Sequence, residues 1–190
     1  TSGWFLLARH NTDGSLDNTF GSGGLVTTDF GTTGAECFDL ALKSDGKIVL
    51  VGYVNYYDPF NPTSDFAIAQ YNSDGSLDTT FSSDGKVITE TGDGDDKAFS
   101  ALIQSDGKIV VAGESEISTD GVDFAVARYN SDGSLDNTFG SGASGIVTTE
   151  LGGLDDRGRS VAIQSDGKLV VSGISGTVLA VVRYDNTGIG

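Results

Sequence analysis

The pentapeptide D-G-S-L-D occurs three times, beginning at Asp13, Asp74 and Asp132. The tetrapeptide S-D-G-K recurs in matching context from Ser44, Ser105 and Ser165. A fixed period of about 60 residues constrains architecture more than any other feature, because each unit must fold the same way and bury its faces against its neighbours. A further S-D-G-K, from Ser83, lies in a different context and is not part of this register.

Aligned on those markers, one unit holds four apolar runs. The first is FAIAQY at 66–71, matched by FAVARY at 124–129 and more loosely by FLLARH at 5–10 and LAVVRY at 179–184. The second is KVITE at 86–90, with LVTTD at 25–29 and IVTTE at 146–150. The third is FSALIQ at 99–104, with FDLALK at 38–43 and SVAIQ at 160–164. The fourth is KIVVAG at 108–113, with KIVLVG at 47–52 and KLVVSG at 168–173. Each run has the length and the β-branched or aromatic content of a strand. FAVARY partly alternates, whereas KIVVAG is nearly continuous, as a strand covered on both faces would be. Ser-Asp-Gly and Asn-Ser-Asp-Gly supply tight turns between the runs.

Four short antiparallel strands per repeat describe a propeller blade. The expected fold is therefore all-β, with β-propeller-like blades in three four-stranded repeats plus one extra strand. A β-solenoid is the alternative, but its coils are shorter, roughly 20–30 residues. The chain reads as a single repeat domain over 1–190, with repeats at about 5–65, 66–123 and 124–178 and a partial fourth at 179–190. It opens and closes on the same strand type, and three blades fall short of the usual ~4–8 of a ring. Three readings stay open: a piece of a larger ring, a ring completed by several chains, or exchange of terminal strands. Self-association through those strands is expected.

The string FAVARYNSDGSLDNTFG at 124–140, followed by the pattern A-x-Q-S-D-G-K-x-V-V-x-G at 162–173, resembles the delta-60 repeat, a β-propeller-like family of uncharacterised function. The resemblance covers nearly the whole chain. It implies a secreted or surface protein of bacteria with many such repeats, and it implies no activity. The stretch YVNYYDPFNPTS at 53–64 departs from the other copies and is expected to form a longer exposed loop.

The acidic loops are the strongest candidates for chemistry. In N-S-D-G-S-L-D, alternate oxygen donors precede a glycine turn and another carboxylate, which is similar to a calcium loop. The candidate ligands are Asn11, Asp13 and Asp17; Asn72, Asp74 and Asp78; and Asn130, Asp132 and Asp136. The first ligand position, however, holds Arg9, Gln70 and Arg128. A cation there would repel Ca²⁺ and pair with the last aspartate, leaving a turn held by Asx hydrogen bonds. The acidic stretch G-D-G-D-D-K at 92–97 and its counterpart at 154–157 offer further cation ligands (Asp93, Asp95 and Asp96), with a solvated turn as the competing reading.

A formal net charge of −16 disfavours nucleic acid and anionic lipid as partners. No stretch approaches the ~20 apolar residues of a membrane helix. Cys37 is the sole cysteine and His10 the sole histidine, so no internal disulfide and no Cys–His pair from a repeated motif is expected. No G-x-S-x-G, H-E-x-x-H or phosphate loop occurs, and the carboxylates sit in repeated turns, where a catalytic pair should be an exception to the repeat. The chain is therefore expected not to be an enzyme and to need no certain cofactor. The leading expectation is a structural or interaction module of an extracellular or cell-surface bacterial protein, with a protein or glycan partner. The alternative is a carbohydrate-binding or carbohydrate-active propeller, in which Tyr53, Tyr56, Tyr57 and Phe60 would contact the ligand.

Overall fold

The computed structural model describes residues 3–57, 63–117, 121–152 and 155–188. Among them lie thirteen strands: β1 (Phe5–Ala8), β2 (Leu25–Thr28), β3 (Gly34–Leu42), β4 (Ile48–Tyr56), β5 (Thr63–Tyr71), β6 (Lys86–Thr89), β7 (Asp96–Ile103), β8 (Ile109–Ile117), β9 (Gly121–Tyr129), β10 (Ile146–Thr149), β11 (Asp156–Ile163), β12 (Leu169–Ser175) and β13 (Val178–Tyr184). They form four antiparallel sheets of neighbouring strands: β1-β2, β3-β4-β5-β6, β7-β8-β9-β10 and β11-β12-β13. These are referred to as the first to fourth sheets. The all-β, propeller-like architecture is as the repeat implies, and the sheets are not closed into a ring.

The sheets begin on the third apolar run of the sequence repeat, not the first. Each complete sheet thus takes two strands from one sequence unit and two from the next. Successive units are thereby linked by hydrogen-bonded strands as well as by packing.

The near-continuous runs fill two interfaces at once. In β4, Ile48 and Leu50 face the first sheet with Phe5, Phe20 and Tyr71, whereas Val49 and Val51 face the third with Phe81, Ile109 and Tyr129. In β8, Ile109 and Val111 look back to the second sheet, and Val110 and Ala112 look forward with Phe139, Leu169 and Tyr184. The period-2 alternation is present, but both faces are apolar because both are covered. Each fully buried Val, Leu or Phe of this kind contributes about 1.5–3 kcal/mol over exposure.

The first strand of each large sheet carries a β-bulge, between Cys37 and Asp39, Ala98 and Ser100, and Gly158 and Ser160. The bulge explains the glycine that closes every fourth run. A Cβ on Gly52 would lie 1.8 Å from Glu36 O, and one on Gly113 would lie 2.0 Å from Lys97 O. Only glycine lets the bulged carbonyl approach so closely.

The stretch at 53–64 is part strand and part connection. β4 runs on to Tyr56 and β5 starts at Thr63, each nine residues long like β8 and β9, so the ends of the stretch belong to the hairpin strands and its extra length falls in the connection between them, where residues 58–62 lie outside the described residues. Phe60 lies outside the described residues.

Candidate functional site

The N-S-D-G-S-L-D loops lie where successive sheets meet. Asp74 O accepts a hydrogen bond from Gly21 N–H at 2.8 Å, Asp132 O from Ser82 N–H at 2.8 Å, and Thr187 O from Gly140 N–H at 2.7 Å. In each case the donor belongs to the preceding sequence unit. Gly75 adopts φ +88° and Gly133 φ +90°, and a Cβ at either would meet the ring of Phe20 or Phe81. The turn is therefore seated directly on an aromatic side chain of its neighbour.

Within each loop the polar atoms satisfy one another. Asn72 Nδ2 donates to Ser76 Oγ (3.0 Å), and Asp74 Oδ1 accepts from Ser76 N–H (2.9 Å) and Ser76 Oγ–H (2.7 Å). The same bonds join Asn11, Asp13 and Ser15, and Asn130, Asp132 and Ser134. They hold the carboxyls of Asp13, Asp74 and Asp132 below the usual range, through the serine hydroxyl first and the serine N–H second.

The last aspartate of the loop meets cations, as the Arg–Asp reading anticipates. Asp136 Oδ2 receives Arg128 Nε (2.6 Å) and Lys108 Nζ (2.8 Å), while Oδ1 receives the N–H and hydroxyl of Thr138. Arg128 also donates to Asn186 O of the next unit at 2.8 Å and lies over the Phe139 ring at 4.6 Å. Arg9 makes the matching set with Asp17 (2.8 Å), Ser73 O and the Phe20 ring. Asp78 is held by Gln70 Nε2 and Lys47 Nζ, each at 2.7 Å. Burial would raise the carboxyls of Asp78 and Asp136. The lysine and threonine hydrogen bonds, with Gln70 or Arg128, outweigh it and set both well below the ordinary value. The loops thus form a latch between units. Among the described residues no three Asp, Glu, His or Cys side chains are grouped to hold a metal ion.

Tyr53 and Tyr56 point to opposite faces of β4 and do not share one platform. The Tyr53 ring stacks on Phe38 at 5.6 Å, Phe38 meets Phe99 edge-on at 5.1 Å, and Arg159 covers Phe99 at 4.0 Å. Tyr53 is therefore part of a ladder across the inner strands. Tyr56 is partly exposed and Tyr57 largely so. Burial, together with Glu36, lifts the Tyr53 phenol to about 12. Cys37 is half-buried, its thiol raised to about 11 chiefly by burial.

Two clefts open at the other end of the strands, between S-D-G-K turns. One of about 650 Å³ is lined by residues including Lys43, Asp45, Gln104 and Asp106. Another of about 320 Å³ holds Gln104, Lys108, Arg128 and Asn186.

The stretch 92–97 does not behave as a solvated turn throughout. Asp95 is half-buried, pairing with Lys97 at 2.9 Å and accepting from Ser64 Oγ–H at 3.0 Å, but Asp96 is wholly buried. Asp65 is a neighbour of Asp96 and Glu90; burial first, then those two charges, raises its carboxyl to about 6. Alternate residues of a strand face opposite ways, so a run of acids entering β7 must send one inward.

A family model described as a domain of unknown function (DUF5122) β-propeller matches residues 2–20, 43–81, 104–139 and 164–188. The chain belongs to this β-propeller family. The two central matches, 43–81 and 104–139, each cover the β4-β5 or β8-β9 hairpin together with its latch loop. No curated protein matches the chain significantly. A solved structure of a protein of unknown function from Bacteroides caccae is similar in fold, with a TM-score of 0.52 and 17% identity. The match covers 98% of this chain and 57% of that one, so the chain spans a little over half the length of its structural relative. Among the described residues no helix is long and apolar enough to cross a membrane.

Proposed function

We propose that the chain is a non-catalytic structural and interaction module of a secreted or cell-surface bacterial protein, acting in adhesion, display or assembly. One observation carries this reading: its repeated acidic loops are spent on joining one unit to the next, which is a structural task. The resemblance to the delta-60 repeat supports the location. The carboxylates stand in equivalent positions of successive units, which suits architecture better than a unique reaction centre.

Self-association belongs to the same proposal. On β13, Leu179 and Val181 are 90% and 68% exposed, while their repeat equivalents Phe124 and Val126 are fully buried against the next sheet. At the other end Leu6 and Leu42 are 60% and 67% exposed. Among the described residues β13 also has an unpaired edge. Apolar faces and open strand edges of this kind favour association. Light scattering across concentration tests it: a stable dimer or larger closed species supports assembly, and a monomer at every concentration contradicts it.

The exposed Tyr56 and Tyr57 favour a second reading, glycan binding. Binding on a broad glycan panel that disappears in Tyr56→Ala/Tyr57→Ala would support it, and no binding would dismiss it.

A further inference from the structure

The first and fourth sheets are complementary parts of one blade. Each complete sheet orders the runs of the repeat as third, fourth, first, second. The fourth sheet holds the third, fourth and first runs (β11, β12 and β13), and the first sheet holds the first and second (β1 and β2). Joined, they make a complete sheet with one strand to spare, because β1 and β13 are copies of the same run. β13 pairs with β12 at seven positions, and its outer edge is open among the described residues. Its equivalent β9 uses that edge for β10, from Phe124↔Thr149 to Ala127↔Ile146. β1 pairs with β2 at four positions, and its inner edge is open among the described residues. Beside that edge lies a cleft of about 350 Å³ lined by Leu6, Ala8, Cys37, Phe38, Leu40 and Leu50.

The polar groups at the two parts are matched as well. The inner strands of successive sheets are linked in series: Ala101 N–H and Ser100 Oγ–H donate to Asp39 Oδ2 at 2.9 and 3.1 Å, and Val161 N–H donates to Ser100 Oγ at 3.4 Å. Ser160 holds the next acceptor position and is exposed. Leu40 N–H, the donor equivalent to those of Ala101 and Val161, turns instead to its own Asp39 Oδ1 at 2.8 Å. The latch repeats the pattern. Arg9 pairs with Asp17 and Arg128 with Asp136, whereas Arg183, their equivalent on β13, makes no ion pair among the described residues.

We propose that β13 of one copy takes the seat of β1 in a second copy, so that β11, β12 and β13 of the first and β2 of the second form one four-stranded sheet, a geometry that rests on the self-association proposed above. β1 is the strand that yields. It is held at four positions, whereas β13 is held at seven and buries Tyr184, whose hydroxyl meets Thr149 Oγ1 at 2.9 Å. The equivalent of Tyr184 on β1 is the exposed His10. The exchange sets Leu179 and Val181 where Phe5 and Leu7 now cover Ile48 and Leu50, Ser160 against Leu40, and Arg183 against Asp17. Replacing an element by its own copy keeps the interface chemistry of the repeat, which is the usual basis of strand and domain exchange. Each copy brings two whole sheets and, counted once, one shared sheet, so two copies close a ring of six, within the usual ~4–8.

The register of β1 on β2 sets Ala180 of one copy opposite Thr27 of the other. Directly opposed residues of antiparallel strands have Cα atoms about 4.5–5.5 Å apart, within disulfide reach. The test co-expresses two differently tagged full chains in a Cys37→Ala background, one with Thr27→Cys and one with Ala180→Cys, and oxidises them, alongside light scattering of wild type and of Phe5→Ser/Leu7→Ser, which loosens β1. Circular dichroism checks that each variant folds. The expected results are twice the chain mass for wild type, a disulfide joining one chain of each tag, and a dimer that persists when β1 is loosened. A dimer without the mixed disulfide, or one lost on loosening β1, would overturn the exchange and leave self-association standing. A monomer at every concentration would overturn both.

Discussion

The outer face of β9 and the outer face of β13 are built from equivalent residues but have opposite surroundings. Phe124 and Val126 are buried against the fourth sheet; Leu179 and Val181, in the same places one unit later, face solvent. The comparison separates what a residue is from what covers it. The same apolar position is buried where another sheet follows it and exposed where none does among the described residues.

The largest expected contrast is between substitutions at these paired positions. Phe124→Ala should cost about 3–5 kcal/mol in urea unfolding, the usual range for removing a buried ring. Leu179→Ala should stay within about 0.5 kcal/mol for the monomer, as exposed substitutions do. Equal costs would mean that the β13 face is covered in solution, which would sharpen the case for assembly.

The latch gives a second contrast. Arg128 and Asp136 are both nearly buried, with side chains 6% and 3% exposed, while Arg9 and Asp17 are 36% and 21% exposed. Arg128→Ala leaves the Asp136 charge buried beside Lys108 alone and should cost roughly 3 kcal/mol or more. Arg9→Ala should cost about 1 kcal/mol or less. Chemical denaturation of the two variants checks the order, and a larger loss at Arg9 would contradict the latch account.

A smaller effect concerns pH. The folded carboxyls of Asp78 and Asp136 lie below their unfolded values, so their contribution is fully present above the unfolded carboxylate range of about 3.9 and is lost as pH falls below it. Melting temperature should therefore drop as pH is lowered from 5 towards 2. Asp136→Asn should be less stable than wild type at pH 6 and show a shallower acid decline. A parallel decline in both proteins would remove Asp136 from that role.

Much of this was legible in the residues. The four runs, the turns between them and the burial of KIVVAG on both faces follow from periodicity and turn chemistry. The Arg9 and Arg128 pairings follow from a cation placed eight residues before an aspartate. Other features depend on three-dimensional neighbours. Which run begins a sheet cannot be read from a cyclic repeat, since every starting point repeats equally well. The bulge that requires Gly52 and Gly113 becomes apparent only when the facing strand is in register. Tyr53 reads as a loop aromatic until Phe38, 15 residues earlier, is placed beneath it. Asp96 looks like one acid among several, and only the alternation of β7 buries it wholly while leaving Asp95 half-buried.

The most direct test of the central claim is the solution mass of the chain across concentration, for wild type and for Leu179→Glu/Val181→Lys. The account predicts a discrete assembly for wild type and a folded monomer for the variant. A wild-type monomer at all concentrations, or an assembly indifferent to both substitutions, would contradict the claim that these blade faces serve association.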